Sequence, residues 1–294
     1  MPANTFVIDI AGLVCQVVLP SQRWARPLSE RYADFLAEPT DPPDWHVELR
    51  EDRATPQVIP GWIQHDGPVT DFHVSWYRGS IDLAARTAWV TSPHTDLAAS
   101  AIERTLGYIC MQALPRDHEA LLLHAVGVAI DDRGYVFFGH SGAGKTTVAG
   151  LAQGHGEVLS DENVVLQLAD GGVALCSTPF WGHSTPAALI RRRAGRYPLV
   201  GLFSLSHAPG FALTPLAHAQ AVASLLRPRR SPRSAWRARA PGSRSPVASS
   251  SECLCSASTF LLPRNCGPSW HVRWIESCYN PARTAWPRRC LQRA

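Results

Sequence analysis

Lysine is nearly missing from this chain: Lys145 is the only one among 28 Lys and Arg residues. Long apolar runs are missing too. No stretch reaches the roughly 18 residues of a membrane-spanning helix, so a membrane is not expected among its partners. The first residues, Met1-Pro2-Ala3-Asn4-Thr5, hold no basic side chain, and Asp9 interrupts the apolar stretch behind them. No export signal is read there, and a reduced, cytoplasmic setting is expected. Asp and Lys are both absent after Leu226, where Arg, Ser, Pro, Cys and Trp dominate. Residues 1–224 carry 15 basic against 22 acidic side chains, a net −7, and residues 225–294 carry 13 against 2, a net +11. The overall +4 describes neither part.

Against that background, the place that keeps a lysine is informative. Gly139-His140-Ser141-Gly142-Ala143-Gly144-Lys145-Thr146 has the spacing G-x-x-x-x-G-K-[ST], the phosphate-binding loop. Its glycines let successive backbone N–H groups turn toward phosphate oxygens. Lysine reaches the β- and γ-phosphates as a compact charge, and the hydroxyl of Thr146 suits Mg²⁺. Thr147 completes the candidate nucleotide-binding set, residues 139–147. The surroundings have the required order. Leu121 to Ile130 reads as one buried strand, Asp131-Asp132-Arg133-Gly134 as a tight turn, and Tyr135-Val136-Phe137-Phe138 as a second strand entering Gly139. Lys145 to about Gln153 suits a short helix, ended by Gly154-His155-Gly156. A helix N-terminus there favours anionic phosphates.

Upstream, Phe6 to Val18 reads as two strands about a turn at Gly12, and Trp45 to Leu49 as another. Arg23 to Leu36 has helical potential, with Trp24, Leu28, Tyr32 and Phe35 on one face. Further strands are expected between Phe72 and Val90. Thr95 to Leu114 is the clearest helix: Thr95 or Asp96 can cap it, Leu97, Ile102, Leu106, Ile109 and Cys110 form its stripe, and Pro115 should end it. The expected organisation is α/β: an N-terminal α+β region over 1–114, a nucleotide-binding core over 115–226, and a basic, irregular tail over 227–294.

The tail admits three readings. A disordered basic arm for nucleic acid or an acidic partner is the first, but Cys and Trp are rare in such arms. A zinc module is the second, although Cys253, Cys255, Cys266 and Cys278 show no C-x-x-C pair. Out-of-frame translation of a GC-rich gene is the third; it accounts for both the composition break and the lack of any period. Nucleic acid is therefore not expected as a partner. Cys15, Cys110 and Cys176 lie far apart and are expected to be buried thiols.

Phosphoryl transfer also needs metal ligands and a group that positions the nucleophile. Asp161-Glu162 follow Glu157-Val158-Leu159-Ser160, a strand that begins soon after the loop helix. A carboxylate at that strand's C-terminal end lies on the edge that carries the loop. Asp161 can hold Mg²⁺ with Thr146 or accept a hydroxyl proton; a solvated acidic turn is the plainer alternative. Its distance from Lys145, 16 positions, suits kinases with a compact core. His124, 15 residues before Gly139, is by itself more simply a core histidine.

Together, His124, the loop at 139–146 and Asp161-Glu162 resemble the HPr kinase/phosphorylase family in its C-terminal catalytic domain, and Thr178-Pro179-Phe180-Trp181-Gly182 resembles its shorter, HPr-kinase-like branch. The resemblance covers about residues 115–226. It implies a mixed-sheet P-loop kinase core, ATP and Mg²⁺ as cofactors, and phosphorylation of a protein serine. It also implies catalytic roles for Asp161, His124 and Glu162 in proton transfer and metal binding. Family members proper carry serine-glutamate after the loop lysine, where Thr146-Thr147 stand here, and aspartate where Glu162 stands. Their glycine-rich signature after the acids has no counterpart, so HPr as acceptor and the reverse reaction are not carried over. A small-molecule P-loop kinase and a non-catalytic, ATP-gated accessory of a peptide-modifying pathway remain open, and a homo-oligomer is compatible with all three.

Overall fold

The computed structural model describes residues 4–39, 42–169, 172–182, 185, 190, 192–207, 212–216, 220 and 270–275. Its fold is mixed α/β, two sheets built mostly of strands with few helices among the described residues. The first sheet has seven strands in the order β1-β2-β3-β7-β6-β5-β4: β1 Thr5–Ile10, β2 Leu13–Val18, β3 Trp45–Glu51, β4 Val58–Asp66, β5 Val69–Ser75, β6 Tyr77–Asp82 and β7 Thr87–Ser92. Alternation builds it. Leu13, Cys15 and Val17 of β2 and Trp45, Val47 and Leu49 of β3 are buried, while His46, Glu48 and Arg50 face solvent. The strand β4 was not expected; Pro60 and Gly61 interrupt its pattern, and its pairing with β5 shifts register between Val58 and Trp62.

Two helices cover this sheet. The expected helix over 23–36 is shorter in fact: α1 spans Ala25–Arg31, with 3₁₀ turns at Gln22–Trp24 and Ala33–Phe35. Trp24, Leu28, Tyr32 and Phe35 are nonetheless all buried together. The helix α2, Thr95–Asp117, packs on β7 of the first sheet and on β8 (Ala120–Leu123) of the second. Two expectations about it need correction. His94, not Thr95 or Asp96, is its N-cap, and no side chain caps it; Asp96 instead lies in the first turn, where its charge suits the helix dipole. Pro115 lies inside the last turn and does not end the helix. It removes one N–H donor there, and Met111, whose carbonyl loses that partner, is exposed to water. Cys15 and Cys110 belong to the buried cluster under this helix, which also takes in Ala120, Val165, Cys176 and Phe180 beyond residue 115. Loss of solvent pushes the Cys110 thiol up to about 12 and the Cys176 thiol up to about 11, so both stay protonated and inert.

The second sheet runs β11-β9-β10-β14-β13-β12-β8, with β9 Ala125–Ile130, β10 Arg133–Phe138, β11 Glu157–Ser160, β12 Val164–Ala169, β13 Gly172–Cys176 and β14 Arg196–His207. The apolar run 121–130 is therefore two strands, not one. It breaks at His124, where its antiparallel ladder is interrupted: Leu123 of β8 pairs with Val164 of β12, and Gly127 of β9 pairs with Ser160 of β11. Asp131 and Asp132, both at positive φ, close the β9–β10 hairpin as a two-residue turn. From β10 the chain passes through the glycine loop into α3, Lys145–Ala152, then into β11. β9 lies antiparallel to both β10 and β11, so those two run the same way and end at one edge. β14 is parallel to β10 and ends there as well. In the stretch after Leu226 the described residues form one strand, β16 Trp270–Ile275, paired with the end of β14 and with β15, Ala212–Leu216.

Gly127 lies within β9. An added Cβ would lie 2.7 Å from Val164 Cγ1, whereas at Gly107 in α2 nothing stands within 4 Å. Gly127→Ala should therefore destabilise the chain by roughly 1–3 kcal/mol. Gly107→Ala should stabilise it by roughly 0.5–1 kcal/mol. Denaturant midpoints at constant slope measure both.

Candidate functional site

The loop packs tightly before it opens. A Cβ on Gly139 would come within 2.8 Å of both Ala143 Cβ and the Leu205 carbonyl oxygen of β14, so the chain can turn this close only without one. Gly142 at φ +81° and Gly144 at φ +97° then bring it around into α3. Ala143 is buried with Val148, Ala149 and Ala152 and seats the helix on the sheet. Gly144 is the N-cap, and no side chain accepts from the first turn. Those N–H groups face the same edge as the loop, a cradle for an anion. Lys145 is buried, and its Nζ donates to the carbonyls of Gly139 at 3.2 Å and His140 at 3.3 Å. Ser141, Thr146 and Thr147 are exposed. His140 Nδ1 donates to the Ser141 carbonyl at 2.8 Å, and its ring lies 5.5 Å from that of His207 at the end of β14.

Asp161 follows β11 and is 3 % exposed. Thr146 Oγ1 donates to its Oδ2 at 3.4 Å, so the structure brings together the two residues expected to hold Mg²⁺. The turn that carries Asp161 is pinned by side chains. Ser160 Oγ donates to the Phe180 carbonyl at 2.5 Å and accepts from the amides of Glu162 and Asn163, both at 3.1 Å. Thr178 Oγ1 donates to the Asn163 carbonyl at 2.5 Å. His124 Nδ1 lies 2.5 Å from the Glu162 carbonyl and 3.6 Å from Glu162 Oε1. A carbonyl oxygen only accepts, so Nδ1 is the donor in that contact. His124 thus meets the acids through Glu162.

Three contributors went unnoticed as site residues. Thr185 Oγ1 donates to both Asp161 oxygens at 2.7 Å, and the Gly182 amide donates to Oδ1 at 3.1 Å. Ser160 supplies the turn. The segment 178–182 carried a family signal, and it docks on the acidic turn along its whole length: Thr178 and Phe180 by hydrogen bonds, Trp181 in the cluster under α3, Gly182 on Asp161. Thr185 had no local signal, since its contact spans 24 positions. A Cβ on Gly182 would meet Thr185 Oγ1 at 3.0 Å, Glu162 Oε2 at 3.2 Å and Asp161 Oδ1 at 3.5 Å. Three oxygens therefore converge on one small space.

Among the described residues no three His, Cys, Asp or Glu side chains gather into a metal cage. A hydroxyl with one carboxylate, as at Thr146 and Asp161, instead suits Mg²⁺ shared with phosphate oxygens. Among those residues, too, no helix is long and apolar enough to cross a membrane. No protein-family model matches the chain, and no curated protein matches it either.

Ser160→Ala removes one hydroxyl and leaves the Phe180 carbonyl and two amides without it in a buried turn. The expected loss is roughly 1–3 kcal/mol in equilibrium unfolding.

Proposed function

We propose that this chain is an ATP- and Mg²⁺-dependent phosphotransferase of the HPr-kinase-like kind, acting on an alcohol group of a protein or peptide serine. One observation carries it: the Thr146 hydroxyl and the Asp161 carboxylate meet at 3.4 Å over a glycine loop whose helix N-terminus is uncapped. The succession β10, loop, α3, β11, with both strands ending at one edge, supports a P-loop kinase core. In this reading the first-turn amides and Lys145 bind the phosphates, Lys145 by leaving the two carbonyls it now serves. Thr146 and Asp161 would hold Mg²⁺, which neutralises charge on the transferring phosphoryl group. Asp161 orients the acceptor hydroxyl and takes its proton. Two alcohol donors, Thr146 and Thr185, already point at it. Gly182 and Thr185 shield it from water, and His124 fixes the main chain of Glu162 beside it. A cytoplasmic setting suits such an activity.

Calorimetry with MgATP on the full chain tests the nucleotide site. Lys145→Ala should weaken binding by about 2–5 kcal/mol, since it removes a buried charge from the phosphates. Asp161→Asn keeps an oxygen toward the metal and should retain most of the affinity, yet lose phosphoryl transfer about 10²–10⁴-fold. A parent chain that binds no MgATP, or an Asp161→Asn chain that transfers at the parent rate, would sink the assignment. Label from γ-labelled ATP should enter a protein in lysate. Label in a metabolite pool indicates a small-molecule kinase, and binding without turnover a gated accessory.

A further inference from the structure

We propose that Thr185 is itself a phosphoacceptor, modified in cis by the site that its hydroxyl occupies; this rests on the kinase reading above. Four hydroxyls pack around the acidic turn, two on carbonyls and two on Asp161, and of the latter pair Thr146 is the more distant, at 3.4 Å. Ser160 and Thr178 donate to carbonyls, those of Phe180 and Asn163, and so hold the turn together. Thr146 belongs to the phosphate loop. Thr185 donates to Asp161 alone, at 2.7 Å from each carboxylate oxygen. That is the distance and partner required of an alcohol about to lose its proton to a general base.

Its position relative to the phosphates is equally apt. Thr185 Oγ1 and Thr146 Oγ1 share Asp161 Oδ2, at 2.7 Å and 3.4 Å, so the two hydroxyls lie no farther apart than those distances laid end to end. The loop hydroxyl marks where metal and γ-phosphate belong. Gly182 keeps the approach open, since a side chain there would fill the space between Thr185 Oγ1 and Glu162 Oε2. Asp161 and Thr185 are both buried, at 3 % and 9 % exposure, so water is a poor competitor for the phosphoryl group.

The step balances with a nucleoside triphosphate as co-reactant. Thr185 Oγ forms a bond to the γ-phosphorus while the bond from that phosphorus to the β–γ bridging oxygen breaks. The electron pair leaves with the nucleoside diphosphate, and the hydroxyl proton passes to Asp161. Once Asp161 has released that proton to solvent, the product places a dianion against a carboxylate, so repulsion drives phosphothreonine off Asp161 and opens the carboxylate to another acceptor. An external serine must otherwise displace Thr185 before it can reach Asp161.

The test is a peptide map of the full chain after incubation with MgATP, with MgATP affinity measured in parallel by calorimetry. One phosphate is expected, on the peptide that contains Thr185, at a rate per chain unchanged by hundredfold dilution. Thr185→Ser should carry it at the same position. Thr185→Ala should lose it, and Asp161→Asn should lose it too. A chain that binds MgATP while Thr185 stays unmodified overturns the inference but leaves the nucleotide site standing. Phosphate elsewhere, or a rate that falls on dilution, overturns it as well. A chain that binds no MgATP removes the kinase reading and this inference with it.

Discussion

Two segments of this chain cross the second sheet side by side, and the rest of the site depends on that shared crossing. β8 hands over to β9 through the single residue His124, and β11 hands over to β12 through Asp161, Glu162 and Asn163. The pairings Gly127 with Ser160 and Leu123 with Val164 fix both crossings at one level. Where the ladder between the two segments is interrupted its bonds are lost, and buried amides and carbonyls without partners are costly. Side chains replace them here: Ser160 takes the amides of Glu162 and Asn163, His124 the carbonyl of Glu162, and Thr178 the carbonyl of Asn163. The turn becomes stiff because its main chain is satisfied from outside, and Asp161 inherits that stiffness.

The loop is positioned by a different means, close packing. β10 and β14 run parallel to one edge, where Gly139 presses on Leu205 and Ala143 sinks into the cluster with Val148, Ala149 and Trp181. Trp181 joins the two arrangements, since its neighbours Phe180 and Gly182 are tied to Ser160 and Asp161. Loop and acid meet at Thr146 and Asp161 through a 3.4 Å contact.

How much of this was legible beforehand follows from the range of the forces involved. The loop, the hairpin turn at Asp131-Asp132 and α3 depend on neighbours within a few residues, and their spacing declares them. Alternation in β2 and β3 and the Trp24, Leu28, Tyr32, Phe35 face of the α1 segment were readable for the same reason. The break at His124 was not. Both strands flanking it are apolar, and only long-range pairing with β12 on one side and β11 on the other tells them apart. Nor was β4, where Pro60 and Gly61 erase the period that its pairing with β5 supplies. Pro115 misled because its usual penalty is slight in a last turn open to water. Thr185 was invisible, since a threonine two dozen positions from its partner looks like any other.

The lone lysine acquires a structural reason beside its chemical one. Several described arginines sit in solvent, where pairs such as Arg26 with Glu30 and Arg50 with Glu48 contribute little. Their planar forks need room and flat partners. At 145 the side chain is buried, and its charge is shared between the carbonyls of Gly139 and His140, which the tight loop curls around it. A guanidinium in that space would have to leave several of its five donors unpaired away from water. A compact ammonium has only three donors, of which the two carbonyls take two. The geometry that disfavours arginine in the loop is thus compatible with the proposed handover of the charge to phosphate, and packing alone already favours the smaller cation.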